Sequence, residues 1–327
     1  MLSSAYRTPR SSLAAYVKHM LPMKTVFLIV NKSWEVEPVL NALTSAEFRP
    51  KGLPYPNELD SPRRDGDHRA TPRATYYFGD AQGIQLRAII WCLQDVMDLA
   101  KSASSSEEKY RVLPTLYRDY APVDLVVAAG TAASVETTAS LNGSVLLGGR
   151  FFLHDARSFD PTSTSNLHLP AFDTVLDGGA TAALFSLLNA ELQAAGTTQR
   201  LMPVINLPGP VTLPTPAIPQ VLIDQHSIAL GTLNVLDYNQ YDKADAATLT
   251  AWAATGTGPA VSVETTHGLI RLGAPAGVPV LFASGIANRV GYYGPEATKP
   301  HRYLASVNLG TVLGDMLVAL ATSTGQW

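Results

Sequence analysis

The chain has 327 residues, 46% hydrophobic and 16% charged, with a net charge of −3. Such a length and apolar content suit one large α/β domain with a full core, and the charge balance gives no electrostatic footing for nucleic acid. No uninterrupted apolar run approaches the ~20 residues of a membrane span, and a single cysteine, Cys92, rules out an intrachain disulfide.

Residues 1–23 are basic and Ser-rich and contain no acid. That composition suits an organelle transit peptide; the plainer and preferred readings are a disordered tail or a true start at Met20 or Met23. Without targeting, the expected location is cytoplasmic. Residues 24–327 read as a single domain. TVFLIV after Lys24 is a compact apolar strand, and NKSWEVEPVLNAL continues as an amphipathic helix. The stretch 48–73 is rich in Pro, Arg and Asp and reads as a long loop or insertion. Strands follow in ATYYFGD and IQLRAIIWCL, where Cys92 reads as a packed small hydrophobe. Helical sequence between Asp95 and Tyr120 is interrupted by SASSSEE, an N-capping region within a short insertion at 101–108.

VDLVVAAGTAASVE is a strand that delivers the chain to Gly130, Thr131, Ala132 and Ala133, small residues that let backbone amides approach a ligand. NGSVLLGGRFFLHDA begins with a turn at Asn142-Gly143 and continues as a strand over Val145 to Leu147. His154-Asp155 has the look of a proton couple, but its expected role is to orient a loop or interface. GGATAALFSLLNAELQAAG is a helix ended by Gly196. A strand and a proline-rich turn follow, then a second insertion near 213–250 with a helix capped near Asp245.

The segment 260–289 organises the rest. A short β-branched run ends in the carboxylate Glu264, and a small-residue helical segment is broken by Gly273, Pro275 and Gly277. Val278 to Ala283 is continuously apolar, as in a strand buried on both faces. A turn is expected at Ser284–Asn288, with Asn288 aiming its amide into a cleft of the kind that forms where strands end. GYYGPEATKPHRY reads as a loop, and LASVNLGTVLGDMLVALATS as a terminal helix. There is no P-loop, no dinucleotide fingerprint and no zinc-ligand spacing, so neither a cofactor nor a metal is expected.

The order of these motifs resembles the nucleoside phosphorylase and nucleosidase superfamily, nearest to its methylthioadenosine/S-adenosylhomocysteine nucleosidase branch. That branch reads V-E-M-E-[AG]-A before a strand ending in R-x-[IV]-S-D. Here Glu264 matches the second glutamate, which holds the ribose hydroxyls, and Asn288 matches the aspartate that contacts the purine. Ser262 replaces the first glutamate and Val263 the methionine. The family's A-x-E-x-E turn after the first strand falls on Glu35 and Glu37, and Glu37 is matched to the catalytic acid/base carboxylate. Both acids also suit a helix N-terminus through its dipole, so that plainer role stands beside the catalytic one. The T-G-[ST]-A-G-G segment falls on Gly130 to Ala133, and Phe151 or Phe152 matches the aromatic that packs on a base or sugar.

The resemblance implies a three-layer α/β/α fold around a central mixed, twisted sheet. It implies catalytic roles for Glu37 and Asn288, and substrate binding by Thr131, Ala132, Phe152, Val263 and Glu264. The implied reaction is hydrolysis of the N-glycosidic bond of a purine nucleoside or related ribosyl compound. Ala128 and Ala129 stand where phosphorylases carry a phosphate-binding arginine, which favours water over phosphate as acceptor. A phosphate-dependent phosphorylase is the alternative, and a catalytically reduced nucleoside-binding module is a third. The family also implies a homo-oligomer, with contacts expected from Phe151-Phe152, Tyr292-Tyr293 or the Tyr238/Tyr241 segment.

Overall fold

A computed structural model describes residues 23–44, 57–58, 71–80, 83–118, 120–156, 169, 171–204, 218–235, 238–255 and 258–327. The extension at 1–22 and most of 48–73 lie outside the described residues. Among the described residues, twelve strands form one sheet: β1 (Lys24–Val30), β2 (Asn57–Glu58), β3 (Ala74–Asp80), β4 (Gly83–Cys92), β5 (Leu125–Ser134), β6 (Val145–Gly148), β7 (Arg150–Asp155), β8 (Val175–Asp177), β9 (Val221–Ile223), β10 (Ile228–Leu233), β11 (Ala260–Glu264) and β12 (Val280–Arg289). The main helices are α1 (Ser33–Thr44), α2 (Ser105–Arg118), α3 (Ala182–Ala194), α4 (Tyr241–Thr255), α5 (His267–Gly273) and α6 (Lys299–Thr322).

The strand order is β2-β3-β4-β1-β5-β11-β10-β7-β8, and a branch leaves β5 through β12 to β6 and β9. Parallel pairs such as β1–β4 and β5–β12 coexist with antiparallel ones such as β3–β4 and β5–β11, so the sheet is mixed. The continuous apolar run of β1 is buried on both faces, as a central strand requires. Val26, Leu28 and Val30 pack with α1, α3 and α6, whereas Phe27 and Ile29 pack with α2 and α5. Trp252 of α4 covers Phe152, Leu230 and Val263 at the far end. This is the expected three-layer arrangement.

α6 is apolar and long enough to cross a membrane by length and composition, but 89% of its apolar window is buried inside the fold. Two of its buried polar side chains, Asn308 and Asp315, make hydrogen bonds to other parts of the fold. Asn308 donates to the carbonyls of Gly143 (2.7 Å) and Met202 (2.9 Å) and accepts from the Met202 amide (2.8 Å). Asp315 accepts from Thr197 and Arg200. Each fully buried Leu, Val or Met of α6 contributes roughly 1.5–3 kcal/mol of burial, which explains why the chain's end is a core helix.

Several expectations need correction. The small-residue segment Gly130–Ala133, to which the strand was expected to deliver the chain, is itself part of β5. The expected turn at Ser284–Asn288 is likewise strand, since β12 runs to Arg289 with an irregularity between Ile286 and Asn288. Gly285 permits this course by letting α6 approach: a Cβ there would lie 2.6 Å from the Ala305 carbonyl oxygen. The segment expected as a loop after Gly291 contains a single turn, Tyr293–Glu296, and the first residues of α6. Asp245 lies inside α4, not at its cap. His154 and Asp155 do not pair with each other; His154 Nδ1 lies 2.7 Å from Asp173, and Asp155 accepts from Asn234. Phe151 and Phe152 are wholly buried within the chain, so neither can line a subunit contact.

Candidate active site

The site begins with a gap in a hydrogen-bond ladder. β12 occupies one edge of β5 from Val126 to Ser134. The other edge is shared: β1 ends with Val30 opposite Ala129, and β11 joins with Val263 opposite Ala133. Gly130, Thr131 and Ala132 therefore have no strand partner on that side, and they line a pocket. Because an unpaired buried amide is costly, the gap has to be answered by side chains or ligand.

Glu35 answers it. Its Oε1 accepts from the Thr131 amide (2.7 Å) and hydroxyl (2.6 Å), and its Oε2 accepts from the Lys32 amide (2.9 Å). The residue is 3% exposed. Burial pushes its carboxyl above the ordinary glutamate range, against the pull of those hydrogen bonds. A Cβ built on Gly130 would touch Glu35 Oε1 at 3.4 Å and His267 Nε2 at 3.7 Å, so a carboxylate and an imidazole converge on one small space.

His267 opens α5 and is buried, stacked on Phe282 at 13° between ring planes. Burial drives its pKa down to about 3, which keeps the ring neutral. Glu264 closes β11 and caps α5, accepting from the amides of Thr266 and His267, the latter at 2.8 Å. Burial raises its carboxyl to about 7 despite these amides. Behind this turn, the buried Lys109 of α2 donates to the Thr265 carbonyl (3.3 Å), the Thr265 hydroxyl (3.1 Å) and the Thr266 hydroxyl (2.9 Å).

Asn288 faces the same pocket from β12, in register with Ala133. Its Nδ2 donates to the Arg289 carbonyl at 2.8 Å, leaving its amide oxygen to accept. The end of β12 is fixed by Arg289, which donates from Nε and Nη2 to the buried Glu296 at 2.8 and 2.6 Å. Tyr241 and Tyr293, ring centroids 5.7 Å apart, form another wall.

Asp245 completes the acidic lining. Burial lifts its carboxyl from 3.8 to about 7, helped by repulsion from Asp242 and Glu264 and opposed by a hydrogen bond from Thr232. A folded pKa above the unfolded one means that the folded state holds more protons. Its contribution to stability is then present at low pH and lost as pH rises between those two values. Asp245→Asn is therefore expected to raise Tm relative to wild type by an increment that grows from about pH 4 to pH 8. Melts showing the same increment at every pH would refute this.

Of the residues singled out from sequence, Thr131, Ala132, Val263, Glu264 and Asn288 line one pocket. Two do not. Glu37 points to solvent and, among the described residues, pairs with Arg73 at 3.4 Å, so the carboxylate presented to the pocket is Glu35 instead. Phe152 lies behind Val263, edge-on to Trp252 with centroids 5.3 Å apart, and does not reach the pocket. Sequence reasoning missed Glu35, His267, Asp245, Lys32 and Arg302. Only Glu35 carries a local signal, its spacing from the apolar positions Pro38, Val39 and Ala42 of α1.

No protein-family model matches the chain, and no curated protein does. Solved structures do. The S-adenosylhomocysteine nucleosidase of Streptococcus pyogenes, in complex with 5-methylthiotubericidin, is 13% identical, with 92% of this chain and 99% of that one covered at a TM-score of 0.50. The Arabidopsis thaliana 5′-methylthioadenosine nucleosidase is 16% identical, covering 90% and 95% at 0.49. Futalosine hydrolase of Helicobacter pylori is 9% identical, covering 90% and 97% at 0.48. The chain has the nucleoside phosphorylase and nucleosidase fold, at 9–16% identity to these solved structures.

Proposed function

We propose that this chain hydrolyses the N-glycosidic bond of a purine nucleoside or related ribosyl compound. The carrying observation is the convergence of Glu35 and His267 Nε2 over Gly130, in a pocket also lined by Glu264 and Asn288. The Streptococcus pyogenes protein that shares the fold is a nucleosidase, which supports the same reaction class.

In this reading a water molecule sits in the space above Gly130. As the glycosidic bond stretches, its electron pair moves to the base and positive charge develops on the sugar. Glu264 keeps lone pairs beyond the two used in capping α5 and accepts from the ribose hydroxyls. The base leaves as its anion with the electron pair of the broken bond. The second Nδ2 hydrogen of Asn288, the one not given to the Arg289 carbonyl, donates to the charged ring nitrogen, and the base takes a proton from solvent on release. The water oxygen bonds to the sugar carbon and its proton passes to Glu35, a carboxylate whose raised pKa suits a general base. His267, neutral, orients the water through Nε2. Groups fixed before reaction lower the barrier because nothing has to reorganise.

The test is a panel of nucleosides assayed for free base and free ribose. Ribose without added phosphate is expected; ribose 1-phosphate formed only with phosphate would replace hydrolysis with phosphorolysis. Gly130→Ala refines the test. Its methyl meets Glu35 and His267 at ordinary contact distances of 3.4–3.7 Å, so the fold is expected to persist. The water is displaced, and kcat is expected to fall about 100-fold, as for a lost positioning contact. A fully active Gly130→Ala enzyme would remove the water from that space.

A further inference from the structure

The pocket carries two cations without a carboxylate partner among the described residues. Lys32 follows β1 and Arg302 belongs to the first turn of α6, and both line the pocket. Among the described residues, neither forms an ion pair with a carboxylate. The Arg302 guanidinium lies over the ring of Trp34, Cζ 5.0 Å from its centroid. Its Nε is buried without a hydrogen-bond partner. Buried donors are nearly always satisfied in a folded protein, so an orphan on a pocket wall points to an acceptor that arrives with the ligand.

The carboxylates of the same pocket do not supply that acceptor. Glu35 is engaged by Thr131 and the Lys32 amide, Glu264 by the amides opening α5, and Asp245 by Thr232. Trp34, 38% exposed, marks this side as the mouth of the pocket. A group seated there would reach outward from a sugar held at Glu264.

Resting on the nucleosidase reading, we propose that the substrate carries an anionic group on its sugar, a phosphate or a carboxylate, seated against Arg302 and Lys32. A guanidinium offers a planar fork that meets two oxygens at once, and the lysine adds a mobile point charge. The stacked Trp34 ring holds the fork in place. An uncharged substituent would leave the buried Arg302 Nε orphaned.

Binding reads this independently of turnover. Adenosine, guanosine and inosine are each titrated calorimetrically beside their 5′-monophosphates and 5′-carboxylic acids. At low salt, at least one anionic form is expected to bind about 10- to 100-fold more tightly than its neutral parent, in keeping with charge-assisted hydrogen bonds. Added salt is expected to shrink that preference. Arg302→Gln is expected to abolish the difference and Lys32→Gln to reduce it, with circular dichroism melts verifying that each variant is folded. Anionic forms binding no better than their parents, or not at all, would overturn the proposal. So would inorganic phosphate that occupies the Arg302-dependent site and diverts the product to ribose 1-phosphate, because the anion would then be a co-substrate. Failure of the nucleosidase reading looks different: no base is released from any compound while the anionic preference persists.

Discussion

Glu35→Gln is expected to lower kcat by about 10²- to 10⁴-fold, the usual worth of a positioned general base, while ligand affinity changes only a few-fold. The amide oxygen of glutamine can still accept from Thr131, so the ladder gap remains answered and the protein remains folded. Glu37→Gln is the matched control. It removes an exposed contact with Arg73, worth about 0–1 kcal/mol, and turnover is expected to hold within about twofold. The reverse pattern would return catalysis to Glu37, and an inactive wild type that still binds nucleoside would favour a binding module. In wild type the base must be ionised to act, and burial raises its pKa above 4.5. The acid limb of kcat should therefore lie at higher pH than an ordinary glutamate would give, and it should vanish in Glu35→Gln.

The largest stability effect is expected at Glu296. Its side chain is 1% exposed, and it accepts from Arg289 Nε, Nη2 and backbone N and from Asn142 Nδ2. Glu296→Ala leaves the guanidinium without its carboxylate, and breaking such a buried pair costs about 3–5 kcal/mol. Thermal melts are expected to show a fall in Tm of roughly 10 °C. Arg289 follows Asn288 directly, so the variant is also expected to weaken ligand binding before it unfolds. A Tm within about 2 °C of wild type would show that the surrounding backbone holds this corner without the ion pair.

Much of the architecture was legible because local signals and tertiary demands agree. Continuous apolar runs became central strands, Asn142-Gly143 became a turn with Gly143 at φ +86°, and Ser104 capped α2 by accepting from the Glu107 amide at 3.1 Å. The confusion between Glu35 and Glu37 is instructive. Residues two apart on a helix lie about 200° apart around its axis, so only one of the pair can face inward. Pro38, Val39 and Ala42 share the face of Glu35, and helical phase would have chosen it. His267 gave no such signal, since its meeting with Glu35 depends on how β5 brings β1 and β11 to one edge. Gly130–Ala133 stood out because small residues let backbone amides approach a ligand, and the strand that carries them has an open edge there. Arg302 and Lys32 share a pocket only because α6 returns beside α1, which is a property of the folded topology.

The ladder gap on β5 has a further consequence for measurement. The Thr131 amide is protected by a side-chain carboxylate, where its neighbours in β5 rely on adjoining strands. Its hydrogen–deuterium exchange rate therefore follows the protonation and position of Glu35, whereas exchange at Val127 or Ala129 follows the opening of the sheet. One amide thus gives a spectroscopic readout of the reactive group, available in solution without substrate, label or turnover.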